Sequence, residues 1–324
     1  MKIKKEYSIL LAVIIALSLY LTLRNPDRTQ YQLPEVPEVD RKDISKIEIA
    51  KPDISIVLNK QGGSWHIAPQ AYSADTDKVK NMLDVIEKLT LTALVSESKN
   101  YDRYNLNDNE KIVVKAWKED TLRREFEVGK AATSYRHTFV KLAGDDRVYH
   151  ARGNFRDTFD QTVDNLRDKT VLSFDQTEIR EIRIAKGEQL MVFGRKQVPV
   201  EVTAGKEAEV RSPPSPKAET VWQTAEGKKG DESKLSRLLT TLSNLRCEKY
   251  IDDRKKEDFT NPIYALQLKG LQEYTLSIFA KKDKSDKNYP AVSSANDYPF
   301  LLSDGQADDI MSNPDEMLQK PDKS

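Results

Sequence analysis

Three histidines are the first residues to weigh for chemistry: His66, His137 and His150. His137 and His150 flank a predicted hairpin, which would set two imidazoles on neighbouring strands. Zinc would need a third ligand there, and the acids nearest in sequence are Asp145 and Asp157. The spacing has none of the tight ligand clustering of a metal site, so no metal is expected. Two adjacent carboxylate pairs, Asp145-Asp146 and Asp308-Asp309, are what a two-carboxylate hydrolase would draw on. The first falls in a turn and the second at a helix cap, and solvation accounts for both. Tyr101 and Tyr104, with Arg103 between them, offer the flat faces of a ligand-stacking platform such as sugar-binding grooves use. The same pair equally suits the edge of a core just after a helix.

Recognised catalytic patterns are missing from the sequence. It has no G-x-S-x-G, no H-E-x-x-H, no phosphate-cradling G-x-x-x-x-G-K-[ST] and no dinucleotide-type G-x-G-x-x-G. ATP hydrolysis by the chain itself is thereby excluded, and no catalytic residue, cofactor-binding residue or cofactor is assigned. Lys+Arg and Asp+Glu are equal at 52 each, which argues against a nucleic-acid partner, since binding to phosphates calls for a basic excess. One cysteine, Cys247, makes no intramolecular disulfide; it follows the apolar face of a predicted helix and is expected to be buried.

The elements that must position these residues occur twice. Ile44-Ser45-Lys46-Ile47-Glu48-Ile49-Ala50-Lys51 aligns with Ile179-Arg180-Glu181-Ile182-Arg183-Ile184-Ala185-Lys186, and each opens a predicted strand pair. A tryptophan follows in both, Trp65 and Trp222, and its equivalence in the two copies favours a core role. The second copy carries a Pro/Ala/Glu/Lys-rich insert between Arg195 and Thr220, expected to be a surface loop. An amphipathic helix comes next, with Val79, Met82, Leu83, Ile86 and Leu89 matching Leu235, Leu238, Leu239, Leu242 and Leu245. Asp75 or Thr76, and Asp231 or Ser233, stand ready to cap these helices. Further strands follow, then closing helices expected over 155–169 and 306–320. The predicted fold is α+β: two tandem repeats of an antiparallel-sheet-plus-helices module after one N-terminal transmembrane helix.

That helix is expected over 7–23, which carries no charge and would span about 25 Å, slightly short of the ~30 Å hydrocarbon core. Flanking lysines and Arg24 would snorkel to close the gap. Apolar sequence continues past Ala16-Leu17-Ser18, the one small-x-small candidate for cleavage, so an uncleaved signal anchor is expected rather than a signal peptide. Ser8, Ala12 and Ala16 recur every four residues as a small-residue ridge for helix packing in the membrane. The expected division is a cytoplasmic tail over 1–6, anchor 7–23, stalk 24–40, module one 41–172 and module two 173–324. The anchor lies in the inner (cytoplasmic) membrane as a single pass, with the C-terminal region periplasmic or otherwise extracytoplasmic.

The short anchor, the I-x-x-I-x-I-x-K openings at Ile44 and Ile179, the tryptophan steps at Trp65 and Trp222 and the helix from Asp77 to Leu89 together resemble one bacterial family, the domain-of-unknown-function family four-three-four-zero. The likeness covers mainly residues 65–250. It implies an accessory protein encoded beside gliding-motility-type ABC transport systems, with integral-membrane transporter subunits as partners and the membrane engaged through the N-terminal helix. The expected function is therefore a non-enzymatic, membrane-anchored extracytoplasmic accessory or interaction protein. The alternative is an envelope enzyme or binding protein acting on peptidoglycan or polysaccharide.

Overall fold

The structure, a computed structural model, describes the backbone of residues 5–23, 31–199 and 218–320, and the side chains of 9–20, 31–197 and 220–320. It opens with α1 (Lys5–Leu23), and the chain divides into two compact units, Met1–Leu166 and Arg167–Ser324.

Unit one contains β1 (Lys46–Lys51), β2 (Ile54–Gln61), β3 (Ser64–Ile67), β4 (Tyr72–Ser73), α2 (Thr76–Lys88), β5 (Leu91–Ser96), β6 (Ile112–Lys118), β7 (Thr121–Ala131), β8 (His137–Leu142), β9 (Val148–Arg152), α3 (Arg156–Phe159) and α4 (Val163–Leu166). Alternation selects the strands: Ile47 and Ile49 of β1 are buried while their neighbours are not. Among the described residues they form one nine-stranded sheet, β4-β3-β2-β1-β6-β7-β8-β9-β5. The stripe of α2 (Val79, Met82, Ile86) packs with Ile47, Ile49, Val114, Phe126 and Tyr149 into one core.

Unit two contains β10 (Thr170–Ser173), β11 (Glu181–Lys186), β12 (Gln189–Pro199), β13 (Ala218–Gln223), α5 (Glu232–Leu242), β14 (Asn244–Arg246), β15 (Lys249–Tyr250), β16 (Tyr264–Lys269), β17 (Glu273–Ile278), β18 (Asn288–Ser293), β19 (Phe300–Ser303) and α6 (Asp304–Ile310). Its main sheet runs β13-β12-β11-β16-β17-β18-β19-β15, the order of unit one without β4.

Register carries the likeness down to single residues. Ile49 stands opposite Ile56 and Val114, and Ile184 opposite Met191 and Leu266. Lys60 faces Trp65 as Arg195 faces Trp222. Asp75 and Asp231 both cap their helices through the side chain. Their own N–H groups donate to Leu166 O (2.7 Å) and Met317 O (2.8 Å), so each closing segment is tied to the start of its helix. The repeated lysine has the same task in both copies: Lys51 donates to Gln161 O (2.8 Å) and Lys186 to Met311 O (3.0 Å).

Several expectations need correction. The closing segments are not continuous helices but short turns, α3 and α4 in one copy and α6 with a 3-10 turn at Pro314–Met317 in the other. Those breaks bring the accepting carbonyls round to the lysine and the aspartate. Residues 31–40, expected as part of a stalk, instead pack on unit one: Val39 is buried, and Leu33 and Val36 lie against the core. A boundary at 172 would cut through β10, which pairs with β14 of unit two. Most of the insert in copy two lies outside the described residues.

The expected transmembrane helix is not found: among the described residues no helix is long and apolar enough to cross a membrane. The described side chains of α1, residues 9–20, cover only about 18 Å of helix axis. Ala12 and Ala16 of the expected ridge are exposed there, and the side chain of Ser8 lies outside the described residues.

Candidate functional site

The outer face of the β8–β9 hairpin in unit one carries two of the residues singled out for chemistry, His137 and His150, and its turn carries Asp145 and Asp146. Its inner face belongs to the core, with Thr138, Val140, Tyr149 and Ala151 buried. Alternation therefore turns His137, Phe139, His150 and Arg152 outward, with His137 directly opposite Arg152 and Phe139 opposite His150.

Asp145 locks the turn of this hairpin. It accepts from the Arg147 N–H (2.9 Å), from Arg147 Nε (3.0 Å) and Nη2 (2.8 Å), and from the Tyr149 hydroxyl (2.7 Å). The Arg147 guanidinium, more than any other group, holds the Asp145 carboxyl down at about 2. Burial, and then the bond to Asp145, push the Tyr149 phenol up to about 12. Asp146 pairs with Lys99 (2.5 Å). Each member of the first carboxylate pair thus has a cation of its own. In the second pair Asp309 faces Arg237 (3.4 Å), and the helix there is capped by Ser303 rather than by the acids.

Four rings run along the outer face. Tyr104 and Phe139 have centroids 4.9 Å apart, Phe139 and His150 4.9 Å, and His150 and His137 5.2 Å with planes 23° apart. Burial, and then the neighbouring His137, lower the pKa of His150. The two imidazoles do lie on neighbouring strands, but they face each other instead of converging on one point. Among the described residues no group of three His, Cys, Asp or Glu is arranged to hold a metal ion.

Tyr101 and Tyr104 share one 3-10 turn, Tyr101–Tyr104, yet part company. Tyr104 is 9% exposed and packs with Leu106 and Val148. The turn rests on the sheet because Gly129 has no side chain; a Cβ there would meet Tyr104 O at 2.3 Å. Tyr101 lines a cavity of about 260 Å³ with Lys99, Asp102, Asn107, Lys111 and Lys141. Its hydroxyl donates to Asp146 O (3.0 Å), and Lys141 Nζ lies 4.6 Å from its ring centre. The two tyrosines therefore do not make one platform, and a single ring borders the cavity. Cys247 is buried, as expected, and Trp222 is a core residue at 2% exposure while Trp65 packs half-buried on its core.

Three residues that the sequence reading passed over gather beside His137. Tyr135 and Arg136 end the turn that leads into β8, and Arg152 closes β9. A bulky residue between two strands followed at once by a cation was the available signal.

A family model described as Domain of unknown function (DUF4340) matches residues 65–262 and so takes in parts of both units. No curated protein and no solved structure matches the chain.

Proposed function

The chain belongs to the family described as Domain of unknown function (DUF4340), and on that footing we propose that it is a non-enzymatic accessory protein, anchored in the inner membrane by α1, whose extracytoplasmic modules engage a transporter complex of the ABC type. The observation that carries this reading is α1 itself. Large apolar side chains from Ile9 to Tyr20 are all 48% exposed or more, and none of them joins a core cluster. A helix apolar on every side is stable where water is excluded. The described apolar stretch of α1, residues 9–20, covers about 18 Å of the ~30 Å hydrocarbon core, so the proposed anchoring depends on a bilayer that adjusts around it.

The partner is an integral-membrane subunit, approached through Ala12 and Ala16 of the small-residue ridge. Crosslinking in intact membranes, followed by identification of the captured chain, tests this. Changing both alanines to leucine should leave the protein in the membrane fraction and weaken capture of an integral-membrane partner. Undiminished capture would move the contact to the soluble modules, and recovery of soluble proteins alone would refute the transporter association. The 260 Å³ cavity beside Tyr101 favours a second reading, a binding protein for envelope polysaccharide. It offers one aromatic face, where the sequence had suggested two.

A further inference from the structure

The free end of the β8–β9 hairpin gathers cations and rings that the fold does not consume. Arg136 and Arg152 are exposed, and among the described residues neither guanidinium has an ion-pair or hydrogen-bond partner. Their backbones lie on neighbouring segments, where the Gly153 N–H donates to Arg136 O (2.8 Å). Tyr135 is 73% exposed and holds a left-handed backbone with φ of 54°, a conformation a bulky side chain adopts only at a cost. The turn spends that strain on presenting an aromatic ring to solvent.

The duplication supplies an independent comparison. In unit two the same strand pair, in the same register, has Asn288 opposite Ser303 and Pro290 opposite Leu301. These replace His137 with Arg152 and Phe139 with His150. On the core face, by contrast, apolar residues persist: Val140 and Tyr149 correspond to Ala291 and Phe300. The scaffold therefore forms without the histidines and without the arginine, and copy one carries them for another reason.

We propose that Tyr135, Arg136, His137, His150 and Arg152 form a docking surface for an acidic segment of a partner protein. Unpaired guanidinium groups give charge complementarity, and exposed tyrosine and arginine are the side chains that anchor protein interfaces. Protonation of His150, whose pKa is lowered by burial and then by the neighbouring His137, adds positive charge to the surface at acidic pH. The charged groups around the pair are Arg152 opposite His137, Arg136 beside it, Lys130 at the end of β7, Arg103 on the tyrosine turn and Lys141 further along β8. Arg152 also borders a cavity with Asp84 and Lys88 of α2, where Asp84 is held by Arg41 and Lys88. The acid on this face of β7, Glu127, is already held by Lys141 (3.1 Å) and Lys111 (3.4 Å).

This inference rests on the proposed role as an interaction protein, and its test is separate from that of the anchor. Purified full-length chain in uncharged detergent is titrated into a fluorescent oligoglutamate peptide, with polygalacturonate and phosphatidylglycerol vesicles as competing probes. Binding should weaken about five- to tenfold in the double variant R136A/R152A at low salt. It should tighten as pH falls from about 7.5 towards about 5.5, with the gain concentrated at the lower end because the His150 pKa is lowered, and that gain should vanish in H150N. Arg123, exposed at the opposite end of β7, provides the control R123A, which should bind as wild type. Equal loss in R123A, no loss in the double variant, or binding of polygalacturonate or vesicles that is tighter than that of peptide and is lost in R136A/R152A would each overturn the proposal.

Discussion

Asp145 shows how a residue that looks chemical can be structural. The carboxylate accepts from four donors close by, the Arg147 N–H, Nε and Nη2 and the Tyr149 hydroxyl. Its folded value of about 2 lies below the ~3.9 of an unfolded chain. The folded state therefore binds this proton less readily, and the stabilisation is present above about pH 4 and lost as pH falls through about 2. The variant D145N should lose about 1 kcal/mol at neutral pH, a figure kept low because Arg147 stands partly in water. Denaturant melts at a series of pH values should show that gap closing on acidification; a gap independent of pH would contradict the assignment. The same scale limits what the sequence reveals. Tyr101 and Tyr104 are alike in type, and only the fold makes Tyr104 the ring that packs with Leu106 and Val148. Arg124 gave no signal at all: it is a buried cation with no carboxylate, held by the carbonyls of Ile86, Glu87 and Pro37, and desolvation lowers its pKa. At the matching register in copy two stands Tyr274, its ring tilted 34° to that of Phe174 with centroids 5.2 Å apart.

Elements were legible where local chemistry alone defines them. The helix stripes, the aspartate caps and the hairpin strands follow from spacing and from polar residues at the ends. The closing segments were misread because apolar periodicity continues through them, while long-range bonds from Lys51, Lys186, Asp75 and Asp231 impose the breaks. Strand order at the sheet edges was not legible either, since β5 and β15 pair with β9 and β19 far along the chain, and pairing over such distances leaves no local trace. The caps give the prediction at this scale. Asp75 accepts from the N–H groups of Asp77 (3.1 Å) and Lys78 (3.2 Å), and Asp231 from that of Lys234 (3.1 Å). Each change to alanine, D75A or D231A, should cost its own unit about 1 kcal/mol. Hydrogen exchange resolved by segment should show D75A loosening 76–88 and leaving 232–242 as before, with D231A doing the reverse. Loss of protection in both helices from either variant would mean that the units do not hold their folds separately.

At the scale of the whole molecule, duplication was the feature most open to the sequence, because it needs only matching strings in the same order on either side of an insert. The strand order, β4 aside, and the register match between the copies. What the duplication is for had to be sought where the copies differ, at His137, His150 and Arg152, and those differences acquire meaning only once the register is known. The proposed anchor belongs to this scale too, since α1 is apolar and joins no core cluster among the described residues. The direct measurement is a compartment-sensitive reporter fused after Ser324, read in intact cells alongside fractionation of the full chain and of a variant lacking residues 1–23. Activity outside the cytoplasm, with the full chain in the membrane fraction and the shortened one lost from it, is the predicted result; reporter activity in the cytoplasm, or an unchanged distribution without α1, would contradict it.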